Sequence, residues 1–252
     1  MSELLLDGLS KRFGALAVFD DIDLAIERGE RRAIIGPNGA GKTTLFGLIS
    51  GFIQPTRGRV VLFGEDVTAE APDRRARRGL GRTFQITDLF SELSAVENLV
   101  LGLAAHQRLG LSMLRPVRSY DNLYDRAYEM LAMWGLDDKS ESTVRELGYG
   151  EQRQVEMLLA LTTEPRLLLL DEPTAGLSPA ETQAVTDLVS ELPGDLTVVL
   201  IEHDMDVAFE LATQVTVLHA GAILAEGTPS QVRENDDVLQ VYLGTDFNFG
   251  GS

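Results

Sequence analysis

The sequence predicts an α/β fold, a core of buried strands alternating with helices and interrupted by a helical insertion. Three patterns carry this reading. Short apolar runs alternate with amphipathic segments from Arg166 to Leu218. An apolar run, a glycine-rich loop and a helical segment follow one another between Ala33 and Ser50. Residues 91–163 repeat apolar side chains at helical spacing.

In chain order, residues 3–35 read as short strands: LLLDGLS, then AVFDDIDLAI with Phe19, Ile22, Leu24 and Ile26 alternating, a turn at Glu27–Glu30, and the run Ala33-Ile34-Ile35. TTLFGLIS has helical spacing, Gln54-Pro55-Thr56-Arg57-Gly58 is a turn, and Arg59–Phe63 is a short strand. Helices are expected over Ala95–Leu103, Tyr120–Trp134 and Gln152–Leu161. Strand Leu167–Leu170, helix Pro179–Leu192, strand Thr197–Ile201, helix Met205–Leu211 and strand Val215–Leu218 then restore the alternation. The glycine-rich end TDFNFGGS is expected to fray.

The 252 residues, of 27.5 kDa, suffice for one large domain or two small ones, and 44% hydrophobic with 24% charged residues excludes collagen-like and low-complexity chains. With 22 Lys+Arg against 39 Asp+Glu the formal charge is −17, and only Lys11, Lys42 and Lys139 are lysines. Such a balance disfavours a nucleic-acid partner, because that affinity needs clustered cations to displace counterions. No Cys is present, which removes disulfide and thiolate-zinc chemistry and fits a reducing compartment. MSELLLDGLSKRFG lacks the pattern of a signal peptide, and the densest apolar run, Leu167–Leu170, stops at Asp171, so the chain is not expected to enter a membrane by itself.

The sharpest chemical signal is Gly36-Pro37-Asn38-Gly39-Ala40-Gly41-Lys42-Thr43-Thr44, which satisfies G-x-x-x-x-G-K-[ST] between an expected strand and an expected helix. Glycines let backbone N–H groups close around a phosphate, and the helix start adds its dipole and free donors. Lys42 then reaches the β- and γ-phosphates, and the Thr43 hydroxyl can ligate Mg²⁺. Farther on, Leu167–Leu170 runs into Asp171-Glu172. A buried strand ending this way sets one carboxylate beside the metal and the next toward the attacking water, which makes Asp171 the metal partner and Glu172 the general base.

Between these motifs, Leu147-Gly148-Tyr149-Gly150-Glu151-Gln152-Arg153 opens an expected helix. Together with the phosphate loop and the acidic strand it resembles the ATP-binding subunit of ABC transporters, over essentially the whole chain. The resemblance implies a P-loop NTPase core of the ABC ATPase type, with an N-terminal antiparallel β-subdomain and an inserted α-helical subdomain. Residues 1–89 and 163–252 would form the ATP-binding part and 90–162 the helical part. It further implies that Phe13 stacks on adenine, that Gln85 touches the Mg²⁺ site, and that His203 contacts the γ-phosphate. Gly148, Tyr149, Gly150 and Glu151 would close over the nucleotide of a partner cassette. Ala175–Glu181 matches the loop that bridges the two sites.

Two departures stand out. The usual signature Leu-Ser-Gly-Gly-Gln is here Leu-Gly-Tyr-Gly-Glu, so a serine hydroxyl is missing at Gly148, and Ser178 stands where Asp is usual. A lost hydrogen bond to a charged group costs about 1.5–3 kcal/mol, so slower hydrolysis is expected at the site holding this signature.

IGPNGAGKTTLF, AVENLVLG, YGEQR, LLLLDEPTAGLSPAET, IEHDMDV and the closing GTPSQVRENDDVLQVYLG resemble importer ATPases of the branched-chain amino acid type. That implies membrane permease subunits, a second ABC ATPase subunit, an indirect extracytoplasmic solute-binding protein, and a peripheral position on the cytoplasmic face of the membrane. A permease helix would dock in a groove near Gln85 and Phe90. Urea or amide importers, and homodimeric exporters of lipid or lipopolysaccharide, share most of these motifs. A two-cassette repair or translation protein needs a longer chain. A GTPase-type switch would leave Gly148–Glu151 unexplained.

Overall fold

The computed structural model describes residues 2–83, 89–107 and 121–243. Two long strands, β1 (Ser2–Phe13) and β2 (Leu16–Glu27), form a hairpin that turns at Gly14-Ala15. Each is 12 residues long, well beyond the short strands expected from sequence, because Leu4, Leu6 and Leu9 pair with Ile26, Leu24 and Ile22 and bury one continuous face. After β3 (Arg31–Ile35) and α1 (Lys42–Ser50), β4 (Arg57–Leu62) and the two-residue β5 (Glu65–Asp66) complete an antiparallel sheet of order β2-β1-β4-β5.

α2 (Pro72–Arg77) was not legible as a helix: PDRRAR has no apolar periodicity. It forms because Arg75, fully buried, donates to the carbonyls of Leu48 and Ile49 at the end of α1 and to those of Thr68 and Glu70. The guanidinium therefore caps α1 and fixes α2 against it. β6 (Leu80–Arg82) follows.

The helical part comprises α3 (Ala95–His106), α4 (Asp121–Met133) and α5 (Tyr149–Leu161), packed on Val96, Leu99, Val100, Leu131, Val155 and Leu158. Ser94 and Glu97 form a reciprocal capping box that starts α3. α5 begins at Tyr149, three residues before the apolar spacing places it, so the signature motif forms its first turn.

The chain then alternates through β7 (Leu167–Asp171), α6 (Pro179–Ser190), β8 (Thr197–Ile201), α7 (Met205–Leu211) and β9 (Gln214–His219). β10 (Ala222–Gly227), α8 (Pro229–Arg233) and α9 (Asp236–Leu243) close the described part. The second sheet has the order β10-β9-β3-β8-β7-β6, parallel except for β10. β3, β7 and β8 are buried on both faces, which accounts for the apolar runs Ala33–Ile35, Leu167–Leu170 and Val198–Ile201 within them.

Register positions the site. Ile34 pairs with Ile201 and Asp171 pairs with Ile201, so β3, β7 and β8 end at one level. The glycine-rich loop, Glu172 and His203 consequently leave the same edge, the carboxyl edge where parallel α/β sheets bind ligands.

Candidate functional site

The loop after β3 rises from a tight constriction. A Cβ built on Gly36 would lie 2.2 Å from the Leu218 carbonyl oxygen, and one on Gly41, at φ +100°, 2.6 Å from Phe19 Cζ, so both positions admit only glycine. The loop is thereby held between β9 and β2 and delivers Lys42 to the first position of α1. Lys42 is buried and donates from Nζ to the carbonyl of Gly36 at 2.6 Å and more weakly to that of Pro37 at 3.3 Å. Burial lowers its pKa, opposed by the nearby Glu172 and Asp171 carboxylates. Asn38, Gly39 and Thr43 are exposed, Thr44 is half-buried and Ala40 is buried behind the loop.

Asp171 ends β7 with its side chain enclosed. Oδ2 lies 3.3 Å from Arg82 Nη2, whereas buried Oδ1 has no hydrogen-bond partner among the described residues. Burial raises the Asp171 pKa, while Arg82 pulls it down. An orphaned, buried carboxylate oxygen costs free energy unless a ligand completes it. Together with the exposed Thr43 hydroxyl, this is a hard-oxygen donor set that fits Mg²⁺.

Glu172 sits at φ +51°, a strained conformation for a non-glycine residue, and its N–H donates to the Ile201 carbonyl at 2.9 Å. Its Oε1 lies 2.6 Å from His203 Nε2. The base and switch histidine expected from sequence, 31 positions apart, are thus in direct contact. Next to His203 in the chain stands Glu202, 3% exposed. Its Oε1 accepts from the Thr174 N–H (3.1 Å) and hydroxyl (2.9 Å), and its Oε2 from the His203 N–H (3.2 Å). Burial pushes this carboxyl up to about 7 against the pull of its donors.

At the signature, Gly148 N–H donates to Glu151 Oε2 at 2.7 Å. This is half a capping box, since glycine has no side chain to return the bond. Gly150 N–H reaches Glu181 Oε1 at 3.3 Å, and Glu181 in turn holds the Ser178 N–H and hydroxyl at the start of α6. Tyr149 is exposed, receives a hydrogen bond on its phenol oxygen from Arg153 at 3.1 Å, and faces Gly176. Signature and bridging loop are therefore locked together within the chain. Gly148 adopts φ −62°, and among the described residues a Cβ there would meet only the Glu151 carboxylate, with Oε2 at 3.5 Å. Gly148→Ser is accordingly accommodated, and is expected to raise steady-state ATP turnover of the assembled complex severalfold by restoring a charge-assisted bond. An unchanged rate would show that the backbone donors suffice.

Phe13 lies at the exposed end of the β1–β2 hairpin with Lys11 Nζ 4.6 Å from its ring centroid. Val18 and Phe19, a few residues along β2, pack beside Gly41, so the hairpin passes next to the loop. Gln85 lies outside the described residues. Sequence reasoning missed Glu202, Thr174 and Arg82, and marked Glu181 only as the end of the bridging-loop match. The run Glu-His-Asp-Met marked the neighbourhood of Glu202, but nothing local announced that its side chain folds back onto Thr174.

Residues 19–175 match the family described as ABC transporter. The chain belongs to the ABC transporter ATPase family. Residues 222–248 also match the family described as branched-chain amino acid ATP-binding cassette transporter. The cassette is 40% identical to the high-affinity branched-chain amino acid transport ATP-binding protein BraF of Pseudomonas aeruginosa, covering 96% of this chain and 97% of that one. It is 31% identical to the lipopolysaccharide export system ATP-binding protein LptB of Haemophilus influenzae, covering 98% and 99%. A crystal structure of an ABC transporter cassette in its ADP conformation superimposes with a TM-score of 0.86 at 28% identity, covering 97% of this chain and 99% of that one. As an ABC ATPase the chain binds nucleotide, hydrolyses ATP in a reaction coupled to transport, and works as a dimer with membrane permease partners. No helix among the described residues is long and apolar enough to cross a membrane.

Proposed function

We propose that this cassette powers uptake of branched-chain amino acids from the cytoplasmic face of the membrane, pairing with a second ABC ATPase subunit and with permeases fed by an extracytoplasmic binding protein. The match of residues 222–248 to the branched-chain amino acid cassettes carries the solute class, and the full-length likeness to BraF supports it. The likeness to LptB keeps a lipopolysaccharide-export reading as the second possibility.

In this reading the Gly36–Thr44 loop cradles the phosphates of ATP, Phe13 stacks on adenine, and Lys42 leaves the Gly36 carbonyl for the β- and γ-phosphates. Thr43, Asp171 and Gln85 would hold Mg²⁺, which when bound neutralises charge developing on the phosphoryl oxygens. Glu172 accepts a proton from water as the water oxygen bonds to the γ-phosphorus, and the bond to the bridging oxygen of ADP breaks. His203 contacts the γ-phosphate and orients Glu172. The signature turn Gly148–Glu151 of the partner cassette closes over the same nucleotide, so binding of ATP draws the two cassettes together. Hydrolysis releases them, and the change is passed to the permeases as a shift between two populated states.

Residues 1–89 with 163–252 act as the nucleotide-binding body and 90–162 as the helical arm. A cavity of about 320 Å³, lined by Phe52, Ala76, Arg82, Leu89 and Leu159, lies between them and would receive a permease helix. Exposed Phe52 and Phe90 near this junction support that use. A gentle-detergent pull-down of the tagged chain from its own membranes tests the assembly. Recovery of a second ATPase with two distinct multi-span proteins is expected. Recovery of this ATPase alone with an exporter-type permease would favour the LptB-like reading.

A further inference from the structure

The hydrolytic pair is held by a residue that has no role in the reaction scheme above. Glu172 and His203 project from two loops, one after β7 and one after β8, and each loop could move independently of its strand. Two backbone-level links tie them. The Glu172 N–H bonds to the Ile201 carbonyl, and the Glu202 carboxylate gathers three donors from both loops: the N–H and hydroxyl of Thr174 on one side and the N–H of His203 on the other. Glu202 is enclosed at the end of β8 and Thr174 is also buried, so water does not substitute readily for these bonds. We infer that Glu202 is a positioning residue for hydrolysis: its carboxylate clasps the Pro173-Thr174 turn to the backbone of His203 and so keeps Glu172 and His203 within hydrogen-bond reach.

The strain at Glu172 makes such a clasp necessary. A non-glycine residue at φ +51° relaxes unless its neighbours hold it, and the chain reaches Thr174 only two residues later. Letting go of Thr174 frees the turn to swing Glu172 away from the position that faces the nucleotide. A base displaced by about 1 Å loses most of its catalytic advantage even when its pKa is unaltered. The clasp also reaches the bridging loop, because Thr174 leads directly into Ala175–Ser178, so cassette-to-cassette contact and the base share one anchor.

This inference rests on the reading of Glu172 as base and His203 as its partner, and the experiment separates the two. Steady-state ATP hydrolysis is measured on the transporter complex retrieved with the tagged full chain. Glu202→Gln keeps the shape but offers one oxygen where two are used, so one side of the clasp opens. Its kcat is expected to fall roughly tenfold, with the KM for ATP changed less than about twofold and the melting temperature lowered by only a few degrees, the cost of one unsatisfied buried donor. Thr174→Val, which deletes the hydroxyl, should lower kcat in the same direction, and Thr174→Ser should retain more of it than Thr174→Val does. In the double variant Glu202→Gln/Thr174→Val the losses should not multiply, since both cut the same link.

Wild-type kcat in Glu202→Gln, a rise in KM matching the fall in kcat, or fully multiplicative losses would overturn the inference. Should Glu202→Gln fail to fold, the comparison of Thr174→Ser with Thr174→Val decides it, equal rates in the two contradicting the clasp. Glu172→Gln is run alongside. If it remains active the underlying assignment of the base fails, whereas if it is inactive and Glu202→Gln is normal, only the clasp fails.

Discussion

Glu172→Gln is expected to lower ATP hydrolysis by about 10³-fold while leaving ATP binding intact, in the middle of the range that a positioned general base contributes. The amide keeps the size of the side chain and can still meet His203 Nε2, so the contact now at 2.6 Å survives in altered form while the proton acceptor is lost. With ATP bound and not cleaved, the closed dimer should accumulate. Size-exclusion chromatography of the variant together with the second ATPase subunit, ATP and Mg²⁺ should therefore show a dimer that the unaltered pair forms only transiently. Unimpaired steady-state hydrolysis would remove Glu172 from the role of base.

Lys42→Met should act one step earlier, by weakening ATP binding about 30-fold or more, corresponding to the 2–5 kcal/mol typical when one partner of an enclosed, hydrogen-bonded charge pair is truncated. The physical argument lies in what remains. Lys42 is a buried cation close to Asp171 and Glu172, whose fields favour its charged form against the cost of burial. Without it a polyanionic triphosphate must approach two carboxylates with only backbone donors and the bound Mg²⁺ in compensation. Methionine fills the same stem volume, so stability should change little. Equilibrium binding of a fluorescent ATP analogue distinguishes this outcome from unaltered affinity, which would place phosphate recognition in the backbone alone.

What could be read from the sequence was what is local. The loop Gly36–Thr44 announces itself because its chemistry needs fixed residue types at consecutive positions, and Asp171-Glu172 because charges terminate an apolar run. The parallel core was legible because the apolar runs of β3, β7 and β8 are buried on both faces. Features set by distant partners were not. α2 exists through a buried guanidinium reaching the end of α1, and its six residues carry no period of their own. The length of β1 and β2 follows from their pairing, which no single-strand pattern encodes. Arg82 meets Asp171 because β6 lies parallel to β7, 89 positions away in sequence. Glu202 was visible as a letter beside His203, yet its significance comes from a hydrogen bond to Thr174, 28 positions earlier. The apolar spacing marks α5 only from Gln152, because Tyr149 and Gly150 face Gly176 and Glu181 rather than the apolar core that spacing detects.

The central claim, that hydrolysis by this cassette drives uptake of branched-chain amino acids, is tested most directly by radiolabelled leucine uptake into cells whose chromosomal copy carries Glu172→Gln. The account predicts that high-affinity uptake is lost in that strain and returns when the unaltered sequence is restored. Leucine uptake equal to that of the parent strain, accompanied by a loss of lipid or lipopolysaccharide from the cell surface, would contradict it.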